Sequence, residues 1–576
     1  APTPQALEQT SRQLLLSKVR LAPDELRSMV AASAGDVEAL SKHAGVSPVL
    51  AELLLRAGLR ATDDAAAFLQ PALAGLQDPF LLRNLESAAS RLRQAIAARE
   101  SIVVLGDYDV DGITSSALLT RVLRAGGADV ANFLPARMDE GYGLSADGIA
   151  RCRREHNPRL LIAVDCGTSS VNEIASLNAA GVDVIVLDHH EPPAQLPACA
   201  ALVNPKLAGN HTPLASIGVA FKLAHALVKN SAALREKVDL RDHLDLAAIG
   251  TVADLVPLTG ENRILVRTGL ERLPATNKVG LRALLDVAGV EDEVNPGHVG
   301  FRIGPRINAA GRLADAMAAL ELLLTEDTGR VAELARLLDD HNRARQQVEE
   351  RIVKEAFAQA RARAKDRVIV VADEGWHIGV IGIVASRLLQ EFYRPTIVIG
   401  TDGKGSCRSI AGFSIVGALY ECAPLLAKFG GHELAAGLTV KPGKLEALRE
   451  RLNELAARLP AEDLVPRITV DAVLKLGDLT DEFFEQLARF EPCGIENPTP
   501  CFAVEGVRLR GSPRVVGKNH LRFQVTDGTD TADAIWWQMG DFEMPRGDFA
   551  VAFIPELNEF RGTVTVQLKV RDVRAA

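Results

Sequence analysis

Three short apolar runs between residues 100 and 190 each end in acids. In SIVVLGDYDVDG the run 102–105 leads into Asp107, Asp109 and Asp111. In LLIAVDCG the run 160–164 ends at Asp165, and DVIVLDHH ends in Asp188, His189 and His190. Runs of this length, rich in β-branched residues and separated by helix-period stretches, predict a parallel sheet covered by helices. The expected order is strand 102–106, helix 113–126, strand 129–134, a helical stretch, strand 160–164, helix 171–180 and strand 183–187. Neighbouring parallel strands lie about 4.8 Å apart, so groups just past their C-terminal ends converge on one small region. Carboxylates gathered there repel one another unless something cationic is present, and imidazoles beside them point to a metal.

Blander readings of these acids fail jointly. Asp107, Asp109, Asp111 and Gly112 imitate the start of an EF-hand loop, but position 12 is Leu118 where that loop needs a bidentate Glu. A helix N-cap accounts for Asp111 alone, not for three acids. Asp165 and Asp188 are each acceptable as turn residues, yet three strands of one sheet would then end in acids by chance. A fourth acid, Asp254, lies in HLDLAAIGTVADLVPL, which is apolar on nearly all faces. A buried carboxylate costs several kcal/mol (~3–5) when left unpaired, so Asp254 needs an arginine or a metal.

The chain of 576 residues is too long for one core and implies several domains. Residues 1–95 read as an N-terminal helical region, with stripes in VLAELLLRAGL and LESAASRLRQAIAARE. Residues 96–330 hold the parallel sheet and a mostly helical continuation, 331–365 a long polar connector helix, and 366–462 a second α/β domain beginning near RVIVVADEG. Residues 463–576 contain short strands with Gly and Asp turns, predicting a small β-barrel. No apolar run approaches the ~20 residues of a membrane span, and the N-terminal stretch lacks a signal-peptide layout. Seven scattered cysteines form no CxxC pair, which favours reduced thiols in a cytoplasmic chain. A net charge of −9 gives no general attraction to nucleic acid, so such binding needs a local basic groove.

In order, GDYDVDG, VDCG, DHHEPP and GTVADLVPL resemble the motifs of the DHH phosphoesterase superfamily. IGPRINAAGRL (303–313), WHIGVIGIVASRL (376–388), GKGSCRSIAGFSI (403–415), GGHELAAG (430–437) and FEPCGIENPTPCF (490–502) narrow the resemblance to its single-strand-specific 5′-to-3′ DNA exonucleases. The resemblance runs from about residue 70 to the C-terminus and implies a multidomain α/β architecture. Its parts are a parallel-sheet DHH domain, a connector helix, a DHH-associated domain and a C-terminal OB-fold barrel. It implies metal ligation by Asp109, Asp111, Asp165, His189 and Asp254, with Asp165 bridging two ions. It gives His190 the reacting phosphate and Asp188 the orientation of an imidazole. Many superfamily members carry a histidine four residues before the first ligand Asp; here that position is Leu105, so the ion at Asp109 should bind more weakly. Cys493 and Glu496 also depart from the family's pattern, at a place expected on the β-barrel edge.

The implied chemistry is two-metal hydrolysis with Mn²⁺ or Mg²⁺, in which hydroxide between the ions attacks the terminal internucleotide phosphorus and releases a 5′-mononucleotide. Ser406, Arg408, Ser409, Gly430, Gly431 and His432, with Arg306, Asn308 and Arg312, are expected to hold the 5′ end of the strand. In the last segment basic and aromatic residues interleave, and Arg508, Arg510, Lys518, Arg522 and Trp537 are expected to line a single-strand groove. Trp536 and Trp537 alternate, so only one can be exposed. The implied setting is a cytoplasmic monomer in DNA repair and recombination, assisted by a RecQ-type helicase and a single-strand-binding protein. The competing reading is a DHH phosphoesterase for short oligonucleotides or cyclic dinucleotides; the IGPRINAAGRL segment and the barrel favour the exonuclease. A non-catalytic relative would not need the full set of acids and histidines.

Overall fold

The computed structural model describes residues 34–60, 62–135, 143–207, 213–313, 316–560 and 562–575. The helical expectation for 1–33 lies outside them. Two compact units emerge: one holds the described residues from Ala34 to Asn342 together with Leu479–Pro500, the other Arg343–Asp478 with the chain from Cys501.

The first unit is built on five parallel strands, β1 (Ile102–Gly106), β2 (Val130–Phe133), β3 (Leu160–Val164), β4 (Asp183–Leu187) and β5 (Ala201–Val203), in the order β2-β1-β3-β4-β5. The apolar runs are continuous because both faces are covered. Ile102, Val104, Ile162, Val164 and Ile185 enter one core, while Val103, Leu105, Leu161, Ala163 and Val184 enter the other. At roughly 1.5–3 kcal/mol for each fully buried aliphatic side chain, this double burial fixes the sheet. β5 escaped the sequence reading because three residues are too few to show a period.

Helix α1 (Val110–Ala125) begins earlier than the expected residue 113. Asp109 is its N-cap and accepts from the Gly112 N–H at 3.1 Å, which leaves Asp111 inside the first turn. Gly112 is required there, since a Cβ would overlap the Asp107 backbone. The helical continuation contains α2 (Ser216–Lys229), α3 (Leu244–Ala253), α4 (Gly260–Arg272) and α5 (Gly304–Leu313), the last entered through a π-helical turn, Val299–Ile303. Every residue of α3 but Ala253 is buried, as its unbroken apolar pattern predicts. The connector is one helix, α6 (Thr328–Ala362), and the chain passes within it from one unit to the other. Among the described residues no helix is long and apolar enough to cross a membrane.

The second unit contains a five-stranded mixed sheet, β6 (Ile369–Ala372), β7 (Thr396–Ile399), β8 (Lys404–Arg408), β10 (Ala435–Val440) and β9 (Leu426–Gly431), given in spatial order, with α7 (Ile381–Phe392) between β6 and β7. Its C-terminal part has β11 (Ala472–Val473), β12 (Phe502–Leu509), β13 (Arg514–Val516), β14 (His520–Thr526), β15 (Thr531–Trp536), β16 (Phe549–Phe560) and β17 (Thr563–Ala575). Pairing runs β12–β16–β17–β15–β14 and returns from β14 to β12, with β15–β17 parallel.

One expectation needs correction. The EPCGIENP loop is not on the β-barrel edge: Leu479–Pro500, including helix α8 (Asp481–Ala488), belongs to the first unit. The cause is Arg263 of α4, which is 1% exposed and donates to the carbonyls of Phe68, Arg489, Phe490, Glu491 and Pro492. Leu258 N–H also donates to the Ile495 carbonyl at 2.9 Å.

Candidate metal centre

The sheet itself delivers the acids. One residue beyond each strand, the backbone N–H continues the parallel ladder: Asp107 donates to Val164, Asp165 to Leu187 and Asp188 to Val203. The three carboxylates are therefore held in one row across the sheet, all at most 2% exposed. Asp165 adopts φ 63, a left-handed conformation that aspartate tolerates better than most residues.

Helices complete the ring. Asp111 accepts from the N–H groups of Ser216 and Ile217, at 2.7 and 2.8 Å, at the start of α2. Ser216 Oγ donates to Asp165 at 3.0 Å, so one serine orients two of the acids. Asp254 is the C-cap of α3. His189 Nε2 stands 3.4 Å from an oxygen of Asp165 and 3.4 Å from one of Asp254. Three ligand groups form within 4.8 Å: Asp111, His189 and Asp254; Asp107, Asp109 and Asp165; and Asp165 with both histidines.

His190 is oriented separately. Its Nδ1 lies 2.7 Å from Asp188 Oδ1, while the other Asp188 oxygen accepts from Thr168 N–H at 2.9 Å. Asn204, next past β5, donates to the His190 carbonyl and to Thr168 Oγ1. Half of the His190 side chain is exposed, so its far edge is open to a substrate.

Electrostatics mark the row as cation-seeking. Burial, reinforced by neighbouring carboxylates, pushes Asp111 up to about 7 and Asp254 up to about 9, and lifts Asp165 well above the carboxylate range. Burial lowers His189 to about 4, leaving a neutral imidazole at neutral pH. For Asp188 burial acts upward, but the hydrogen bonds from His190 and Thr168 outweigh it and hold the pKa low. Burial acts downward on His190, and the bond to Asp188 reverses it, raising the pKa. His189 Nε2 and Asp254 Oδ2 are buried and, among the described residues, make no hydrogen bond. Two such atoms facing each other, ringed by carboxylates, fit a divalent ion bound by mixed oxygen and nitrogen ligands.

The remaining expected residues are spread over both units. Arg306, in α5, gives its donors to Asp339, to Arg302 O and to Val287 O, all within the first unit. Asn308 is half-buried on the same helix, and the side chain of Arg312 lies outside the described residues. α5 reaches the acidic loop through Gly311, where a Cβ would stand 2.8 Å from the Tyr108 carbonyl. In the second unit Ser406, Gly437 and Gly430 are cross-strand neighbours on β8, β10 and β9, and Gly431 pairs with Ala436. Arg408 donates to Ser406 Oγ and to Cys407 O, and Gly382 in the first turn of α7 approaches both Ser406 and Arg408. Ser409 Oγ is committed to Phe413 O, while His432 is exposed. In the C-terminal strands Arg508 pairs with Asp548 and Arg522 with Asp533, and Arg510 donates to Thr531. Lys518 is exposed; Trp536 is 7% exposed against 48% for Trp537, whose ring packs on His520.

Comparison with known proteins agrees with this geometry. Residues 101–251 match the DHH family N-terminal domain, 365–458 the DHHA1 domain and 470–572 the RecJ OB domain. Fold and site thus define a DHH-type protein carrying an OB domain. The single-stranded-DNA-specific exonuclease RecJ of Bacillus subtilis is 39% identical over 93% of this chain and 69% of its own length. The protein of the same name from Dickeya dadantii is 37% identical over 87% of this chain and 92% of its own. The crystal structure of RecJ from Thermus thermophilus in complex with Mn²⁺ superposes with a TM-score of 0.84 at 35% identity, covering 95% of this chain and 79% of that one. A second structure of that protein, with Mg²⁺, gives 0.77 at 33% identity, covering 95% and 78%. The chain belongs to the RecJ family.

Proposed function

We propose that the protein is a metal-dependent exonuclease that hydrolyses single-stranded DNA from the 5′ end to 5′-mononucleotides, in DNA repair and recombination. The observation that carries this reading is the ring of Asp109, Asp111, Asp165, His189 and Asp254, of which Asp111 and Asp165 are buried and the rest half-buried, with two facing atoms that lack hydrogen bonds among the described residues. Those residues would hold two ions, Mn²⁺ or Mg²⁺, with Asp165 shared and Asp107 added to the Asp109 side, where Leu105 offers no ligand. Bound there, such ions acidify water and neutralise phosphoryl charge.

The chain's own residues do the rest. Ser216 and the α2 N-terminus fix Asp111 and Asp165, so the carboxylates are set before substrate arrives. Asp188 keeps His190 aimed and favours its protonated form, placing its open edge to bind the phosphate or protonate the departing 3′-oxygen. Ser406 and Arg408, beside the first turn of α7, carry the chemistry for a terminal 5′-phosphate. Arg508, Arg510, Lys518, Arg522 and Trp537 supply charge and a ring for the strand. A monomer acting in the cytoplasm beside a helicase and a single-strand-binding protein is the setting this activity fits.

The test is Mn²⁺-dependent digestion of 5′-labelled and 3′-labelled single strands beside duplex. Early release of labelled mononucleotide from the 5′ label alone is expected. Hydrolysis confined to dinucleotides would instead support the small-substrate phosphoesterase.

A further inference from the structure

Asn262, in the first turn of α4, is fully buried, and its side-chain nitrogen donates to two carbonyls, Pro213 O and Pro257 O, each at 2.9 Å. Each carbonyl belongs to a segment that delivers part of the metal centre. Pro257 follows closely on Asp254 in the loop leaving α3. Pro213 closely precedes Ser216, whose N–H and Oγ hold Asp111 and Asp165. One amide group therefore bridges the Asp254 side of the ring to the Asp111–Asp165 side.

Stability alone does not explain this residue. Its Oδ1 is buried and, among the described residues, accepts no hydrogen bond. Leaving such an acceptor unsatisfied offsets what the two donated hydrogen bonds contribute. What the amide contributes is geometry. Its two N–H bonds diverge at a fixed angle, so the two carbonyls are held at a set separation. Prolines at both ends remove the competing N–H donors and stiffen the backbone that the amide grips.

We infer that Asn262 is a positioning residue for the metal centre: it sets the spacing between Asp254 and the Asp111–Asp165 pair, and so the affinity for divalent ions. This rests on the metal-centre reading above. Asn262 touches none of the ligands; it acts on the backbone that carries them. Lys278 provides the control, because it is equally buried and binds Asp245 at the opposite end of α3 from Asp254.

The experiment compares Mn²⁺ binding to the full chain by isothermal titration for the wild type, Asn262→Leu and Lys278→Met, with circular dichroism and thermal melting on each. Asn262→Leu keeps the branched outline of the side chain and removes both donors. It is expected to remain folded and to bind Mn²⁺ about 10–100-fold more weakly, the usual range for a group that orients ligands from outside. Turnover on a single-stranded oligonucleotide should fall, with KM unchanged and recovery as Mn²⁺ is raised. Lys278→Met should lower the melting temperature and leave Mn²⁺ affinity alone. Should Asn262→Leu fail to fold, Asn262→Ser, which can donate to one carbonyl only, is expected to show an intermediate loss. Unchanged Mn²⁺ affinity in a folded variant, or an equal loss in Lys278→Met, would overturn the inference. A wild type that binds no Mn²⁺ would overturn the metal-centre reading itself, and this inference with it.

Discussion

Asp254 and Asp111 are held where a charge is hardest to keep. Burial raises both, to about 9 and about 7, above an ordinary carboxylate at 3.8. The folded chain without metal therefore prefers them protonated. Their contribution to stability is complete below the unfolded pKa near 4 and is lost as pH rises through 7 to 9. A divalent ion reverses this preference, because it binds only the charged forms. The melting-temperature rise produced by saturating Mn²⁺ should therefore be larger at about pH 8.5 than at about pH 6. Equal rises would show that these carboxylates are already ionised without metal. His190 makes a different demand: His190→Ala should keep Mn²⁺ binding yet lose roughly 10²–10⁴ in turnover, and near-normal rates would remove its role. Most of the acids and both histidines of this ring were legible in the sequence because strand ends announce them, and Asp254 because it interrupts an apolar segment. Ser216 and Asn262 were not, since a serine opening a helix reads as a cap and an asparagine in a first turn as solvent-facing. Only the fold reveals that each grips an element distant in sequence.

Elements were most legible where burial makes a pattern and least where a single side chain decides. β1, β3 and β4 follow from their apolar runs, and α3 from its unbroken one. Leu479–Pro500 departs from its sequence neighbours chiefly through the guanidinium of Arg263, which gathers four of its carbonyls. That group also lies over the Phe68 ring, 3.8 Å from its centroid, and burial lowers its pKa only to about 10, so it stays charged at neutral pH. No periodicity could have foretold a cation satisfied by five carbonyls. Arg263→Met would remove the donor that the Phe68 and Arg489 carbonyls share, at about 1–3 kcal/mol for each one that water cannot reach, while Phe490 and Pro492 keep Asn497 and Glu491 keeps Arg267. The expected result is much faster hydrogen exchange in 489–497, read by mass spectrometry, with the 426–440 hairpin of the other unit unaffected. Protection unchanged in 489–497 would mean that α8 and the Phe490–Phe68 contact suffice to hold the segment.

At the scale of the whole molecule, a chain of net charge −9 must concentrate its affinity for a polyanion locally. The C-terminal strands show how little of their positive charge is uncommitted. Arg508 and Arg522 face acids at 2.9 and 3.3 Å, and Lys569 lies 3.7 Å from Glu556. Arg514 and Lys518 are exposed and, among the described residues, make no such ion pair; Arg514 opens β13 and Lys518 lies in the β13–β14 turn, two residues before His520, on which Trp537 packs. Basic groups beside an exposed ring are what single-strand binding needs. Removing 463–576 would be a poor test, because it also takes Leu479–Pro500 out of the first unit and with it the partners of Arg263. Point substitution keeps both units whole. Changing Arg514 and Lys518 to Ala should weaken binding of a labelled single strand, measured by fluorescence anisotropy. It should also reduce the slope of log K against log salt by about 1.4, at ~0.7 per phosphate contact. Trp537→Ala should cost about 1–3 kcal/mol of the same affinity with the slope unchanged, since stacking releases no counterions. If neither change moves the affinity or the slope, these strands hold structure rather than DNA, and the strand must be gripped elsewhere in the chain.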